Sequence, residues 1–371
     1  MTANLKAAFT TLLLYYNAST GYFGDPNIAW PFWTSGVALE ACADYFFLTS
    51  DPIALSLIEN SYLLVRKDYN VPCDPDQPGC VGNDDIQWHG HAWLSAFEAT
   101  ANTTYLSEAL GIYRTLLEQW GAWNATCGGM NWAMQPPYVN TVTNGLFMEA
   151  LVRLWAAGAG EVVLASRTVA QWAQLALAWS QRPGLLSPQG VLVDGFSTQN
   201  CSQAVGAVWS YNQGLWVSGL AGLGALQASP PLALASQRLA QGAAQALSRE
   251  GQGSPSGAVM LELSCSAEGW CEDYSGQQFK GVYAHRLGRA VKAWGPGPAA
   301  GAACAWLRNN SNSLLERGAG VDGAGNPLLG QLWQGPFSPQ RERTPWVPQA
   351  AGFQLLLALE LASAVCSDPA P

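Results

Sequence analysis

The chain has 371 residues, of which 49% are hydrophobic and only 12% charged. It can bury a large core and is too apolar for a disordered chain. A net charge of −9 argues against nucleic acid, whose phosphates need a basic footprint. The longest uncharged stretch, 195–237, is interrupted by Ser, Asn, Gln and Pro230-Pro231, and reads as a buried helix rather than a membrane span.

A helical period runs almost throughout, with few strand patterns. It predicts about twelve helices, over 4–17, 33–48, 52–68, 86–100, 103–120, 141–158, 161–180, 211–227, 231–249, 276–293, 297–314 and 346–363. They come in pairs across short turns: Thr49-Ser50-Asp51-Pro52, Ala101-Asn102-Thr103-Thr104 and Ala228-Ser229-Pro230-Pro231. Ser, Thr and Asn can cap the helix that follows, and Pro fits its first turn. Short turns force antiparallel neighbours. Between pairs run long connections, 68–85, 121–140, 182–210 and 318–344, which carry Gly, Pro, Cys and Trp and point to function.

One helix of each pair, expected to be the second, is rich in small residues, as in 214–224. The other is amphipathic, as in 105–114. Helices apolar all round are buried, and amphipathic ones face water on one side. Six inner and six outer helices make an all-α (α/α)6 double-walled barrel. One domain over 1–366 with a short tail, 367–371, is the expected organisation, the long loops gathering over the inner helix N-termini.

Nine cysteines favour an oxidising compartment. Cys73 with Cys80, and Cys265 with Cys271, are close enough to close as disulfides, and the odd count leaves at least one thiol over. Sequons start at Asn17, Asn102, Asn124, Asn200 and Asn309. Together these favour a secreted or cell-surface glycoprotein. No leader is visible: Met1 runs directly into an amphipathic helix, and a leader trimmed away is the expectation.

Each inner helix begins with amides and rings: Trp30-Pro31-Phe32-Trp33, Asn83-Asp84-Asp85-Ile86-Gln87-Trp88, Asn140-Thr141-Val142-Thr143-Asn144, Trp209-Ser210-Tyr211-Asn212-Gln213-Gly214, Asp273 to Gly281, and Pro345-Trp346-Val347-Pro348-Gln349. Some must be caps. Together they describe a pocket for a neutral polyhydroxylated ligand. Asp84 and Asp85 fit a helix N-terminus as caps. Two in succession also repel, so one carboxyl holds a proton beside an ionised partner, which is the equipment of glycoside cleavage.

Other chemistries find little support. His89 and His91, two apart on a helix, point to nearly opposite faces and fit packing better than a shared metal. The loop carrying Asp74 and Asp76 lacks an EF-hand pattern. No P-loop, nucleotide fingerprint or serine elbow occurs. No metal and no cofactor are expected.

Five ordered segments carry a resemblance: Asp84-Asp85-Ile86-Gln87-Trp88, Cys127-Gly128-Gly129-Met130-Asn131-Trp132, Thr143-Asn144, Tyr211-Asn212-Gln213-Gly214 and Phe279-Lys280-Gly281. The chain resembles glycoside hydrolase family 76, the endo-α-1,6-mannanases and related fungal cell-wall transglycosylases. The resemblance implies an (α/α)6 fold and a retaining reaction on α-1,6-linked mannan. It makes Asp84 the nucleophile and Asp85 the general acid/base. Trp33, Trp88, Trp132, Asn144, Asp194, Tyr211, Asn212, Gln213 and Lys280 are the expected substrate-binding residues. His89 and Gly145 depart from the family pattern and bear on the choice of glycan. A transglycosylase, a non-catalytic carbohydrate-binding protein and a structural helical domain are the alternatives. An enzyme for acidic sugars would want more Arg or Lys than Lys280 alone.

Overall fold

The computed structural model describes residues 2–24, 31–69, 82–133, 138–197, 199, 201–250, 257–342 and 344–367. Among them are helices α1 (Ala3–Leu13), α2 (Phe32–Thr49), α3 (Pro52–Val65), α4 (Asp85–Thr100), α5 (Thr103–Arg114), α6 (Thr141–Leu154), α7 (Val169–Ser180), α8 (Ser210–Leu226), α9 (Pro230–Leu247), α10 (Tyr274–Trp294), α11 (Pro298–Ser313) and α12 (Trp346–Leu361). Every expected helix has a counterpart here. The differences are at the ends. The first helix stops at Leu13, before the short strand pair Tyr16–Asn17 and Tyr22–Phe23. The seventh starts late because Val163–Leu164 and Arg167–Thr168 pair as a hairpin. Extensions after α5, α6 and α11 are wider π turns at 115–119, 155–159 and 314–318.

The chain divides into two compact units. One comprises Asn17–Tyr22 and Ala29–Val208. Its α2, α4 and α6 pack side by side, with α3, α5 and α7 against them. Every residue of α6 is buried. Its one cation is accommodated by partners: Arg153 bonds Glu40 of α2 at 3.0 Å, and Glu98 and Ser95 of α4 at 2.8 and 2.7 Å. The His91 ring joins through Nδ1, 3.2 Å from Arg153 Nη1, while its Nε2 lies 3.0 Å from the Leu146 carbonyl. A carbonyl only accepts and a guanidinium only donates, so His91 carries its proton on Nε2.

The other unit comprises Met1–Tyr16, Phe23–Ile28 and Trp209–Pro371. Its α10 packs between α8 and α12. Glycines let the α10 and α12 backbones close in: a Cβ on Gly281 would lie 2.4 Å from Ala351 Cα, and one on Gly288 2.6 Å from the Ala358 carbonyl. Helices α9, α11 and α1 pack on the outside of this trio. The first helix of the chain thus belongs with the last: Phe9 meets Phe353, and Thr2 N–H donates to Glu360 at 2.7 Å.

The order within the pairs reverses the expectation. Across each short turn the buried helix comes first and the amphipathic one second, as in α2–α3, α4–α5 and α8–α9. Composition marks which helix is buried, but a short turn is indifferent to the order. Asn102 caps its turn as expected, accepting from Thr104 N–H at 3.0 Å; at the first turn the cap is Asp51, accepting from Ile53 N–H at 2.9 Å, and at the third Ser229 makes no capping bond through its side chain. Cys265 and Cys271 form the expected disulfide, joined by Cys127–Cys201 and Cys304–Cys366, with separations of 74 and 62 residues. Cys42 is an unpaired buried thiol. Cys73, Cys80, Asp74 and Asp76 lie outside the described residues.

Candidate active site

Asp84 stands at the N-cap position of α4 but makes no capping bond through its side chain. Asp85, in the first turn, turns its carboxylate back to the loop, where it accepts from Gly82 N–H at 2.9 Å. Neither acid is used up in closing the helix end. Asp84 is only 9% exposed, and its Oδ1 meets no hydrogen-bond donor among the described residues. Burial raises its carboxyl well above the usual range, and the Asp85 charge raises it further. The N–H groups of Asp84 and Asp85 and the Trp132 indole act in the opposite sense. Burial pushes Asp85 up to about 6, against the Gly82 N–H. Two carboxyls held this way share a proton over a broad pH range.

The pair is tied down by residues remote in sequence. Asn83 donates its backbone N–H to Trp132 at 2.8 Å and its amide to the Asn131 carbonyl at 2.9 Å. Gln87, one turn into α4, donates to the Asn83 carbonyl at 2.8 Å. The 127–132 segment is fixed in turn by Asn144. Its Oδ1 accepts from Met130 N–H at 2.7 Å, and its Nδ2 donates to the Met130 and Asn140 carbonyls at 3.0 and 2.8 Å. Asn144 is fully buried, and these bonds direct its amide to the loop that carries Trp132. Arg182 spans the carbonyls of Cys127 and Cys201, bracing the disulfide behind that loop.

The rings differ in access. Trp132 is 42% exposed, whereas Trp88 is 1% exposed and packs on Trp33 with centroids 5.6 Å apart. Trp33 is the partly exposed member. Trp88, one turn into the helix, is turned to α2, where it meets Trp33. Asp194 is half-buried and accepts from the Tyr138 phenol at 2.8 Å. Asn83, Gln87 and Tyr138 were not singled out as site residues from sequence. Tyr138 carried one signal, its place in an aromatic-rich long connection just before the Asn140 cap.

Tyr211, Asn212, Gln213 and Lys280 lie in the other unit, at the starts of α8 and α10. Tyr211 stacks on Phe279 at 3.9 Å and 10°. Asn212 and Gln213 are buried, and Gln213 donates to the Trp209 carbonyl at 3.0 Å. Lys280 is also buried. Its ammonium donates to the Gln331 carbonyl at 2.6 Å and lies 4.9 Å from the Trp333 ring centroid. Burial lowers it to about 8, opposed by Glu262 and Glu342. Glu262, itself buried, accepts from the Ser210 hydroxyl and N–H.

His89 sits among Tyr22, Phe32 and Tyr69, with Nε2 2.9 Å from the Phe32 carbonyl. Burial lowers it to about 4, so it is neutral packing. Among the described residues no group of three or more His, Cys, Asp or Glu could hold a metal, and no helix is long and apolar enough to cross a membrane.

A family model described as glycosyl hydrolase family 76 matches residues 1–334. The chain belongs to glycosyl hydrolase family 76. Among curated family relatives it is 28% identical over 227 residues to mannan endo-1,6-alpha-mannosidase DCW1 of Candida albicans, covering 56% of this chain and 48% of that protein. Identity to DCW1 of Saccharomyces cerevisiae is 27% over 222 residues, covering 56% and 47%. The chain thus spans about half the length of these relatives. Among solved structures, the family 76 alpha-1,6-mannanase GH76A of Salegentibacter sp. HEL1_6 aligns with TM-score 0.74 and 18% identity, covering 96% of this chain and 98% of that one. Dfg5 of Chaetomium thermophilum, solved with glucosamine, aligns with TM-score 0.79 and 20% identity, covering 99% and 90%. The expected mostly helical (α/α)6 fold of family 76 therefore extends over nearly the full chain.

Proposed function

We propose that the protein is a retaining glycoside hydrolase acting on α-1,6-linked mannan through a covalent glycosyl-enzyme intermediate. The observation that carries the reading is the acid pair itself: two adjacent carboxyls, Asp84 buried and Asp85 half-buried, neither spent on capping, at the start of α4. Support comes from the mannanase of Salegentibacter, which is inactive with two consecutive aspartates replaced by asparagine and was solved in that form with α-1,6-mannotriose. The names of the fungal relatives agree.

Asp84 attacks the anomeric carbon while Asp85 protonates the glycosidic oxygen. The carbon–oxygen bond to the leaving sugar breaks as the bond to Asp84 forms. Asp85, now ionised, takes a proton from water, whose oxygen attacks the same carbon and releases Asp84. The first step needs the shared proton on Asp85. Burial favours it on Asp84, and the donating Trp132 indole works against that. Trp33 and Trp132 offer ring faces, and Asp194 a carboxylate for sugar hydroxyls. Tyr211, Asn212, Gln213 and Lys280 are further proposed substrate-binding residues, the last three buried. The disulfides fit an oxidising compartment and a secreted or cell-surface protein whose partner is a neutral mannan-like glycan. If a sugar hydroxyl replaces water, the same intermediate gives transglycosylation.

The test is product analysis on α-1,6-mannan oligosaccharides with anomer-resolved NMR. Retained configuration at first cleavage is expected, with loss of turnover in both Asp84→Asn and Asp85→Asn. Normal turnover in both variants would overturn the assignment. Longer products in place of reducing ends would move the reading to transglycosylation.

A further inference from the structure

Three hydrogen bonds run in line from the acid pair to Asp194. Asn83, immediately before the pair, donates its backbone N–H to the Trp132 carbonyl at 2.8 Å. Trp132 donates its own N–H to the Tyr138 carbonyl at 2.6 Å. Tyr138 then donates its phenol to Asp194 Oδ2 at 2.8 Å. The first two links are backbone and tolerate many side chains. The third depends on one hydroxyl group.

The surroundings leave that phenol little choice of position. The strand Tyr138–Asn140 pairs antiparallel with Gly195–Ser197, setting Tyr138 opposite Ser197. A Cβ on Gly195 would lie 3.2 Å from Tyr138 Cζ, and one on Gly206 3.2 Å from the phenol oxygen and 2.6 Å from Asp194 Cβ. Two glycines thus make room for the tyrosine–aspartate pair. Thr141 fixes the backbone at the same place, donating its N–H to the Asp194 carbonyl and its hydroxyl to the Val193 carbonyl, each at 2.6 Å. Strand pairing and the Thr141 bonds are complete without the phenol, so the hydroxyl is not required to hold the backbone. Burial and the Asp194 charge keep the phenol protonated, so it remains a donor.

We propose that Tyr138 is a positioning residue for glycan binding, fixing the Asp194 carboxylate at a set distance from Asp84 and Asp85. A sugar hydroxyl held by Asp194 then brings the anomeric carbon to the acid pair. This rests on the proposed function, in which Asp194 binds hydroxyls. The line of bonds ties the spacing between the two carboxylate centres to Trp132 and Tyr138.

The experiment is calorimetric titration of α-1,6-mannotriose into the full chain carrying Asp84→Asn and Asp85→Asn. Adding Tyr138→Phe should weaken binding about tenfold, the scale of one hydrogen bond to a charged group. Adding it on top of Asp194→Asn should change nothing further, because Tyr138 acts through Asp194. In the active chain Tyr138→Phe should raise KM more than it lowers kcat, at an unchanged thermal midpoint. Undiminished affinity in Tyr138→Phe, or an equal loss added to that of Asp194→Asn, would overturn the proposal. If the parent binds no mannotriose, the proposed function fails on its own. The positioning claim is then read from the Asp194 carboxyl 13C resonance, which must move in Tyr138→Phe and overturns it if unmoved.

Discussion

The backbone N–H of Gly82 donates to the Asp85 carboxylate at 2.9 Å, so the residue two before the acid pair orients one of its members. It also makes room for the other: a Cβ on Gly82 would lie 2.7 Å from Asp84 Oδ1. That is closer than carbon and oxygen pack, so Gly82→Ala must displace the Asp84 carboxylate. Small displacements of a reacting group cost about 100-fold in rate, and a drop in kcat of that order is expected at an unchanged melting temperature. Wild-type kcat in Gly82→Ala would show that the carboxylate tolerates the shift.

Trp132→Phe keeps an aromatic ring and removes the N–H that favours ionised Asp84. Burial and the Asp85 charge then act with less opposition, and the Asp84 carboxyl rises further. Attack requires the ionised form, so the acid limb of the kcat/KM profile should move to higher pH. A pH series on a soluble mannan oligosaccharide reads it; an unmoved limb would confine Trp132 to stacking.

Stability should depend on pH in a direction set by raised carboxyls. Burial pushes Glu262 and Glu342 up to about 7 and Asp85 up to about 6. Each lies above its unfolded value, so the folded chain holds more protons between the two values. Stability then falls as pH rises through that window. The thermal midpoint should be higher near pH 5 than near neutrality, and Glu262→Gln should flatten the slope. A midpoint that climbs over this range would contradict the burial of these groups.

Arg153 is 8% exposed and its partner Glu40 is fully buried. Arg153→Met leaves that carboxylate without its cation, which costs about 3–5 kcal/mol. Glu98, at 37% exposure, sits at the open end of the same network, and Glu98→Gln should cost no more than about 1 kcal/mol. Urea unfolding distinguishes them; equal losses would mean that the pairs are interchangeable.

The helices were legible because apolar residues recur at helical spacing through α2 to α7. The acid pair was legible because adjacent Asp residues at a helix start are a local pattern. Less legible was anything decided by long-range partners. Cys127–Cys201 and Cys304–Cys366 join residues 74 and 62 apart, and no spacing rule selects them. Trp88 and Trp132 are the same residue type near the same acids, yet the α2 face buries one and the loop exposes the other. Lys280 reads as a cation near a ligand, but its contacts with Gln331 and Trp333 come from a segment some fifty residues later.

The line from Asn83 through Trp132 and Tyr138 to Asp194 also has a consequence for how the chain is made. Beside that line the Asn83 side chain bonds Asn131, 48 positions downstream, and Tyr138 bonds a residue 56 positions further on than itself. On the ribosome, both aspartates emerge well before the segments that order them. A nascent chain ending before Thr141 would display the acid pair without Asp194 or the Asn144 clamp. The glycan-cleaving apparatus proposed here is therefore armed late in synthesis, after α6 and the Gly195–Ser197 strand have left the exit tunnel.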